Sequence, residues 1–319
     1  MPTGAVTVVG AGLAGLVAAR RLADAGRAVV VLEAGVVGGR LATHVLAGAR
    51  LDAGAQFFTV RSPELEAATA GWRDQGLVSV WSRGFGPEPD GHPRYRVEGG
   101  MAALAAHLAE GLDVRPGTPV QDVAATPSGW ALSWDDGRLD GGPAILATPV
   151  PVALDLLDAG GIELAPDAAA LRAVEYERTL ALLVVLDRPS TLAPPGGLPR
   201  DDGPFSFVAD NALKGVSEVP ALTLHASASV SRERWEDAEE GVVADLLAAA
   251  ASYIGEARVV ATAVDRWAFA TPRSPIAERC VVVAEEPAPL VLAGDAYGGP
   301  RVEGAFLSGR AAADAVLSG

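Results

Sequence analysis

The run Gly10-Ala11-Gly12-Leu13-Ala14-Gly15 sits between two apolar stretches, Ala5 to Val9 and Ala28 to Leu32. Glu33 closes the second stretch, eighteen residues past Gly15. Strand, glycine turn, helix, second strand and terminal acid predict an opening βαβ unit. Gly10 lets the chain turn sharply out of the first strand. Gly12 lets the backbone approach a pyrophosphate, and Gly15 lets the helix lie close to the sheet. The helix opening near Leu13 and Ala14 points free N–H groups and a partial positive charge at the phosphates. Leu13, Leu16, Val17, Ala19 and Leu22 form an apolar stripe at helical spacing. Asp24-Ala25-Gly26 ends it, with Gly26 suited to a left-handed cap. Glu33, followed by Ala34, falls where a carboxylate accepts hydrogen bonds from a ribose diol. This unit is predicted to hold a dinucleotide.

A second signal stands near the other end of the chain. It is the run Leu290-Val291-Leu292-Ala293-Gly294-Asp295, followed by a helix start at Val302-Glu303-Gly304-Ala305. A nicotinamide dehydrogenase needs only the first signal. A chain that must also hold a ribityl chain and a ring system needs something like the second. Together the two ends describe a flavin dinucleotide.

Composition narrows the remaining choices. A chain of 319 residues with 50% apolar content buries a large core and predicts two domains. A formal net charge of −15 argues against a nucleic-acid or acidic-membrane partner. The lone Cys280 allows no internal disulfide and fits a reducing, cytoplasmic setting. His44, His92, His107 and His225 offer no metal-ligand spacing. The N-terminal apolar stretch lacks a basic lead and is broken by glycines, unlike a signal peptide. No apolar run is long enough to predict a membrane span.

Between the two ends, Ser62-Pro63-Glu64 predicts a capped helix over 62–75. Residues 83–94 read as a Gly- and Pro-rich loop, and Gly99 to Glu110 as a helix. Leu112 to Val114, Val120 to Val123, Trp130 to Trp134 and Ala144 to Ala147 read as short strands. Residues 180–186 read as a longer strand and 189–204 as a loop. Residues 221–230 alternate as a strand, and 236–254 read as a helix. No internal repeat or low-complexity linker interrupts this order.

Several segments carry a family resemblance. They are Leu32-Glu33-Ala34 with Gly38-Gly39-Arg40, then Asp52-Ala53-Gly54-Ala55-Gln56-Phe57-Phe58-Thr59. Leu224-His225-Ala226-Ser227 follows, with Ser231 and Trp235, and then Asp265 to Pro272 and Gly294 to Gly309. The pattern resembles the renalase-like branch of the flavin (FAD) amine oxidase superfamily. The likeness implies an α/β chain with a Rossmann-type FAD-binding domain of the p-hydroxybenzoate hydroxylase-like two-domain architecture. A second, mixed-sheet domain would receive the substrate. The implied FAD-binding domain is discontinuous, at about 1–60, 95–150 and 280–319, and the substrate domain takes about 61–94 and 151–279.

The resemblance also implies roles. Gly39 and Arg40 would meet the pyrophosphate, and Gln56 and Phe57 would lie beside the isoalloxazine. Val120 would meet the adenine through its backbone, and Gly294 and Asp295 the ribityl or phosphate end. Val302, Gly304 and Ala305 open a helix aimed at the N1–O2 edge of the flavin, where reduction places negative charge. Phe57, His225, Trp267, Phe269 and Tyr297 are the substrate-pocket candidates. Each has a structural alternative. Phe57 and Phe58 face opposite sides of an extended chain, so one of them belongs to the core. Trp267 and Phe269 share a strand face and either pack or line the pocket. His225 reads as a satisfied structural histidine, and Tyr297 as a loop filler or a neighbour of the flavin.

Departures from the superfamily pattern shape the expected chemistry. Amine oxidases of this superfamily carry a lysine that holds a water at flavin N5. Here the strand from Thr179 to Val185 has none, and the sole lysine, Lys214, sits in the polar segment Asp210 to Gly215. Arg266 stands where some members link flavin to cysteine, so the FAD is expected to be noncovalent. The segment Ile145-Leu146-Ala147-Thr148-Pro149 lacks the Asp-Gly pair of aromatic hydroxylases. The expected activity is a hydride-accepting oxidase that passes electrons to O2 and forms H2O2. Its small-molecule substrates would be dihydro-NAD(P) isomers. Hydride loss from such a ring restores aromaticity and needs no side-chain base. A flavin amine or amino-acid oxidase is one alternative, and a non-catalytic FAD-binding redox protein another. Arg61 or Arg301 at a pocket mouth would favour the anionic dinucleotide. The oligomeric state stays open.

Overall fold

A computed structural model describes residues 4–86, 90–164 and 166–319, and the side chains of 166–169 are outside that description. Residues 87–89, inside the loop read at 83–94, also lie outside the described residues. The chain forms two compact units. One comprises Met1–Gly39, Ala105–Glu175 and Thr271–Gly319, and the other Arg40–Leu104 and Tyr176–Ala270.

The first unit is built on a six-stranded sheet. Its spatial order is Val281–Ala284, Leu290–Leu292, Ala144–Leu146, Val6–Val9, Val29–Leu32 and Asp113–Arg115. Only the edge strand Val281–Ala284 runs antiparallel to its neighbour. Val9 stands in register with both Leu32 and Leu146, and Leu146 with Leu292. The central strands are continuous apolar runs because both faces of a parallel sheet are covered. Helix Leu13–Asp24 packs on the C-terminal helix Arg301–Ser318. A Cβ on Gly309 would overlap the Ala14 carbonyl, so only glycine permits this approach. A three-stranded antiparallel sheet, Gly137–Asp140, Gly129–Trp134 and Asp122–Thr126, completes the unit with helix Val150–Ala159.

The second unit is built on a five-stranded sheet. Its order is Gly197–Pro199, Phe205–Asp210, Ala221–Ala226, Tyr176–Leu186 and Val259–Pro272. Leu180, Leu182, Val184, Leu222 and Leu224 cover one face, against Val242, Leu246 and Ile254. Leu183, Val185 and Ala221 cover the other face, against Ala49 and Leu51 of the hairpin Thr43–Leu46/Ala49–Asp52 and Ala53 just after it. That packing places residues 40–60 in the second unit, whereas the sequence reading set them with the dinucleotide domain.

Most elements stand near their expected positions, and the differences have local causes. Helix Pro63–Asp74 is capped by Ser62, whose Oγ accepts the Leu65 N–H at 3.4 Å. The helix expected from Gly99 begins at Ala102, because Gly99 and Gly100 hold φ of +77° and +105°. The strand expected over 221–230 stops at Ala226. Ser227 there caps helix Ala228–Glu233, its Oγ accepting the Val230 N–H. The helix expected over 236–254 is two helices, Glu239–Ala249 and Ala251–Ile254. The loop at 189–204 contains the short strand Gly197–Pro199, which pairs with Phe207 to Ala209.

Candidate functional site

In the first unit the glycine turn is a cradle built from backbone. Glu33 leaves its strand and accepts the Ala11 N–H at 2.6 Å and the Gly35 N–H at 2.8 Å. Gly12 caps helix Leu13–Asp24 with no side-chain hydrogen bond, and the first turn holds no acid. The first N–H groups therefore face outward as an anion site. A Cβ built on Gly12 meets nothing within 4 Å, so the space beside the turn at Gly12 is open. One on Gly15 would overlap the Gly10 carbonyl oxygen. Leu13, Ala14 and Gly15 are buried, while Ala34 is exposed. The Gly38 N–H donates to the Ala11 carbonyl at 2.9 Å, which seats Gly39 against Gly12.

Other candidates gather at the same strand ends. The Thr118 N–H donates to the Glu33 carbonyl at 2.8 Å, and Val120, two residues on, is half-buried. The strand expected from Val120 starts only at Asp122. The Gly294 N–H donates to Ser308 Oγ at 2.9 Å, fastening the Gly294-Asp295 turn to the C-terminal helix. Asp295, Val302 and Gly304 are buried, and Ala305 is half-buried. Tyr297 is buried in the loop between that turn and the helix. Thr148, at the end of strand Ala144–Leu146, was absent from the sequence candidates. Its buried Oγ1 has no hydrogen-bond partner, and its atoms stand beside Gly10 and Gly294. A threonine before proline at a parallel strand's C-terminal end was the available signal. An open space at Gly12, unpaired helix N–H groups, a strand-end carboxylate and an orphaned buried hydroxyl fit a dinucleotide with polar oxygens.

The second unit holds the segment Asp52 to Phe57 in a buried polar network. Lys214 Nζ lies 2.6 Å from Asp52 Oδ2 and 3.3 Å from Gln56 Oε1. Asp52 Oδ1 accepts the Thr43 hydroxyl at 2.6 Å and the Met101 N–H at 2.7 Å. Gln56 Nε2 donates to the carbonyls of Asp52 and Gly54. Burial presses the Lys214 pKa below its ordinary value, and Asp52 pulls it back up. The polar look of residues 210–215 concealed this role, because Lys214 finds its partners in a distant part of the chain.

The pocket candidates of this unit divide by contact. Phe58 is buried, stacked on Tyr95 with centroids 5.4 Å apart. Phe57 is half-buried and joins Trp81, Phe85 and Phe207, with ring centroids 4.9 to 6.4 Å apart across the group. His225 Nε2 lies 2.9 Å from the Ala53 carbonyl oxygen, and Trp267 Nε1 donates to that same oxygen at 3.2 Å. Burial lowers the His225 pKa, and the nearby Lys214 charge lowers it further. Trp267 also packs among Ala49, Leu51 and Val185. Phe269 meets Tyr176 edge-on at 5.5 Å. Arg40, expected on the pyrophosphate, directs Nη1 to the carbonyls of Phe269 at 2.9 Å and Ala270 at 3.2 Å. Arg61 and Arg301 are exposed.

Among the described residues no group of three or more His, Cys, Asp or Glu could hold a metal ion. No described helix is long and apolar enough to cross a membrane.

The doubly wound first unit with its glycine-turn cradle and the five-stranded sheet of the second unit have the parts of a flavin-dependent oxidoreductase. Residues 8–70 match the NAD(P)-binding Rossmann-like domain family, and residues 67–317 match the family of flavin containing amine oxidoreductases. The chain belongs to the flavin containing amine oxidoreductase family, and its cofactor is FAD. Solved structures show the same fold. A putrescine oxidase is 18% identical over 98% of this chain and 99% of that one, with a TM-score of 0.71. The cyclohexylamine oxidase of Brevibacterium oxydans IH-35A is 15% identical over 99% of each, with a TM-score of 0.72. A protein of Exiguobacterium sp. 255-15, provisionally assigned as a protoporphyrinogen oxidase, is 13% identical over 100% of each, with a TM-score of 0.76.

Proposed function

We propose that this chain is a renalase-like oxidase that takes a hydride from a small, flat, reduced ring of the dihydro-NAD(P) kind. Oxygen is the electron acceptor, and the product is H2O2. The observation that carries this reading is the half-buried group of Phe57, Trp81, Phe85 and Phe207. A planar ring packs on such a group through offset and edge contacts, each contributing about 0.5–1.5 kcal/mol beyond its buried area. The cations over these rings, Arg94 on Phe85 and Lys214 on Trp81, are paired with Asp90 and Asp52. The platform therefore suits an uncharged ring better than an alkylammonium ion. FAD, held by Glu33, the Gly12 turn and Thr148, supplies the hydride acceptor. Arg266, at the position where some members link the flavin through cysteine, donates to the Trp235 and Asp237 carbonyls, which supports a noncovalent cofactor.

Amine oxidation is the second reading. The neutral ring of His225 favours it, because an amine must lose a proton as well as a hydride. The solved relatives include oxidases whose names carry putrescine and cyclohexylamine. Anaerobic stopped-flow mixing decides. Rapid flavin bleaching by 2- and 6-dihydro isomers of NAD(P) is expected. Bleaching by putrescine or cyclohexylamine alone would replace the first reading with the second.

A further inference from the structure

We propose that His225 Nδ1 accepts a hydrogen bond from an amide N–H of the bound substrate, beside the aromatic group of Phe57, Trp81, Phe85 and Phe207. With a dihydronicotinamide the donor is the ring carboxamide, so this step rests on the first reading above.

The tautomer follows from the partner. A peptide carbonyl only accepts hydrogen bonds, so His225 Nε2, 2.9 Å from the Ala53 oxygen, carries the proton. Trp267 Nε1 donates to the same oxygen and completes its coordination. Burial and the Lys214 charge hold the ring neutral, which leaves a lone pair on Nδ1. Nδ1 has no partner among the described residues.

Strand pairing gives this lone pair its surroundings. Phe207 stands directly opposite His225 on one neighbouring strand, and Ala181 on the other. Opposed residues of an antiparallel pair share a sheet face. The register shifts between Phe205 and Phe207. That bulge leaves Phe205 and Val208 in the core cluster and turns Phe207 to the His225 face, against Phe57 at 5.8 Å. Ala181 offers only a methyl group on the far side. A flat ring packed on Phe57 and Phe207 would therefore meet His225 on the same sheet face.

Long-range 1H–15N NMR of the holoenzyme tests the tautomer, with His225→Gln assigning the resonance among four histidines. The Nε2–H form, unprotonated at pH 7, is expected. An Nδ1–H form or an imidazolium overturns the proposal. Titration with nicotinamide as the probe should move the Nδ1 resonance, and no movement overturns the proposal whether or not any dihydro isomer bleaches the flavin. In steady state His225→Leu should raise the KM for 6-dihydro-NAD about tenfold with kcat nearly unchanged, the scale of one lost hydrogen bond. His225→Gln, which keeps a donor for Ala53 and an acceptor for the substrate, should restore KM to within about threefold. A fall in kcat with KM unmoved assigns His225 to proton removal and overturns the proposal. Failure of the dihydro isomers to bleach the flavin, with the nicotinamide shift intact, removes the first reading alone.

Discussion

Lys214 Nζ and Asp52 Oδ2 meet at 2.6 Å with both side chains fully buried, 162 residues apart in the sequence. The chain carries one lysine and places it inside. An interior ion pair is a poor source of stability, because desolvation offsets most of the attraction. What this pair does is orient. The ammonium fixes which end of the Gln56 amide faces it, and Asp52 closes its hairpin on Thr43 and ties it to Met101.

Removing one partner should therefore be severe. Lys214→Met leaves an uncompensated buried carboxylate and should destabilise the protein by about 3–5 kcal/mol in urea unfolding. Lys214→Met with Asp52→Asn should cost clearly less than the two single changes added together. Additive costs would show that the two charges do not act as a pair.

Glu33→Ala should weaken FAD binding by about 1.5–3 kcal/mol, the value of hydrogen bonds to a charged acceptor. Titration of apoprotein with FAD reads the change. Unaltered affinity would place the ribose on another group.

Gly12→Ala separates folding from binding. Gly12 holds φ −74° and ψ 179°, which alanine adopts freely, and its Cβ would enter open space. The apoprotein should melt like the parent, while FAD affinity falls at least about tenfold, or about 1.4 kcal/mol, because the new methyl stands where the phosphates approach. Retained affinity would move the phosphate site away from this turn.

Thr148→Val tests the orphaned hydroxyl. Replacing a buried, unpaired Oγ1 with a methyl should leave the apoprotein as stable as before or up to about 1–3 kcal/mol more stable. FAD affinity should drop in the same variant. A loss of apoprotein stability with unchanged FAD affinity would make Thr148 structural.

Acid stability has a local handle at Asp187. The N–H and guanidinium of Arg258 hold its pKa down to about 2 from 3.8. A carboxylate with a depressed folded pKa stabilises the fold above its unfolded value, and that contribution is lost as pH falls through the folded one. Between about pH 4 and 2 the parent should lose stability more steeply than Asp187→Asn, followed by circular dichroism. Identical acid limbs would remove Asp187 from the transition.

Local sequence determined the elements whose causes lie within a few residues. The turn from Gly10 to Gly15, the end of the helix at Gly26 and the Ser62 cap each depend on neighbours along the chain, so their residue types announce them. The parallel strands are legible because burial on both faces demands unbroken apolar runs, as in Val29–Leu32. The helix at Ser227 was missed because one side-chain cap outweighed the alternation of 221–230. The substrate-side arrangement belongs to tertiary structure. The Ala53 carbonyl joins His225 and Trp267 from 172 and 214 residues away. A bulge before Phe207 turns that ring toward Phe57, and composition carries no trace of it. Lys214 reads in sequence only as part of a polar segment because the cost of burying its charge is met by Asp52 and Gln56, which folding alone brings within reach.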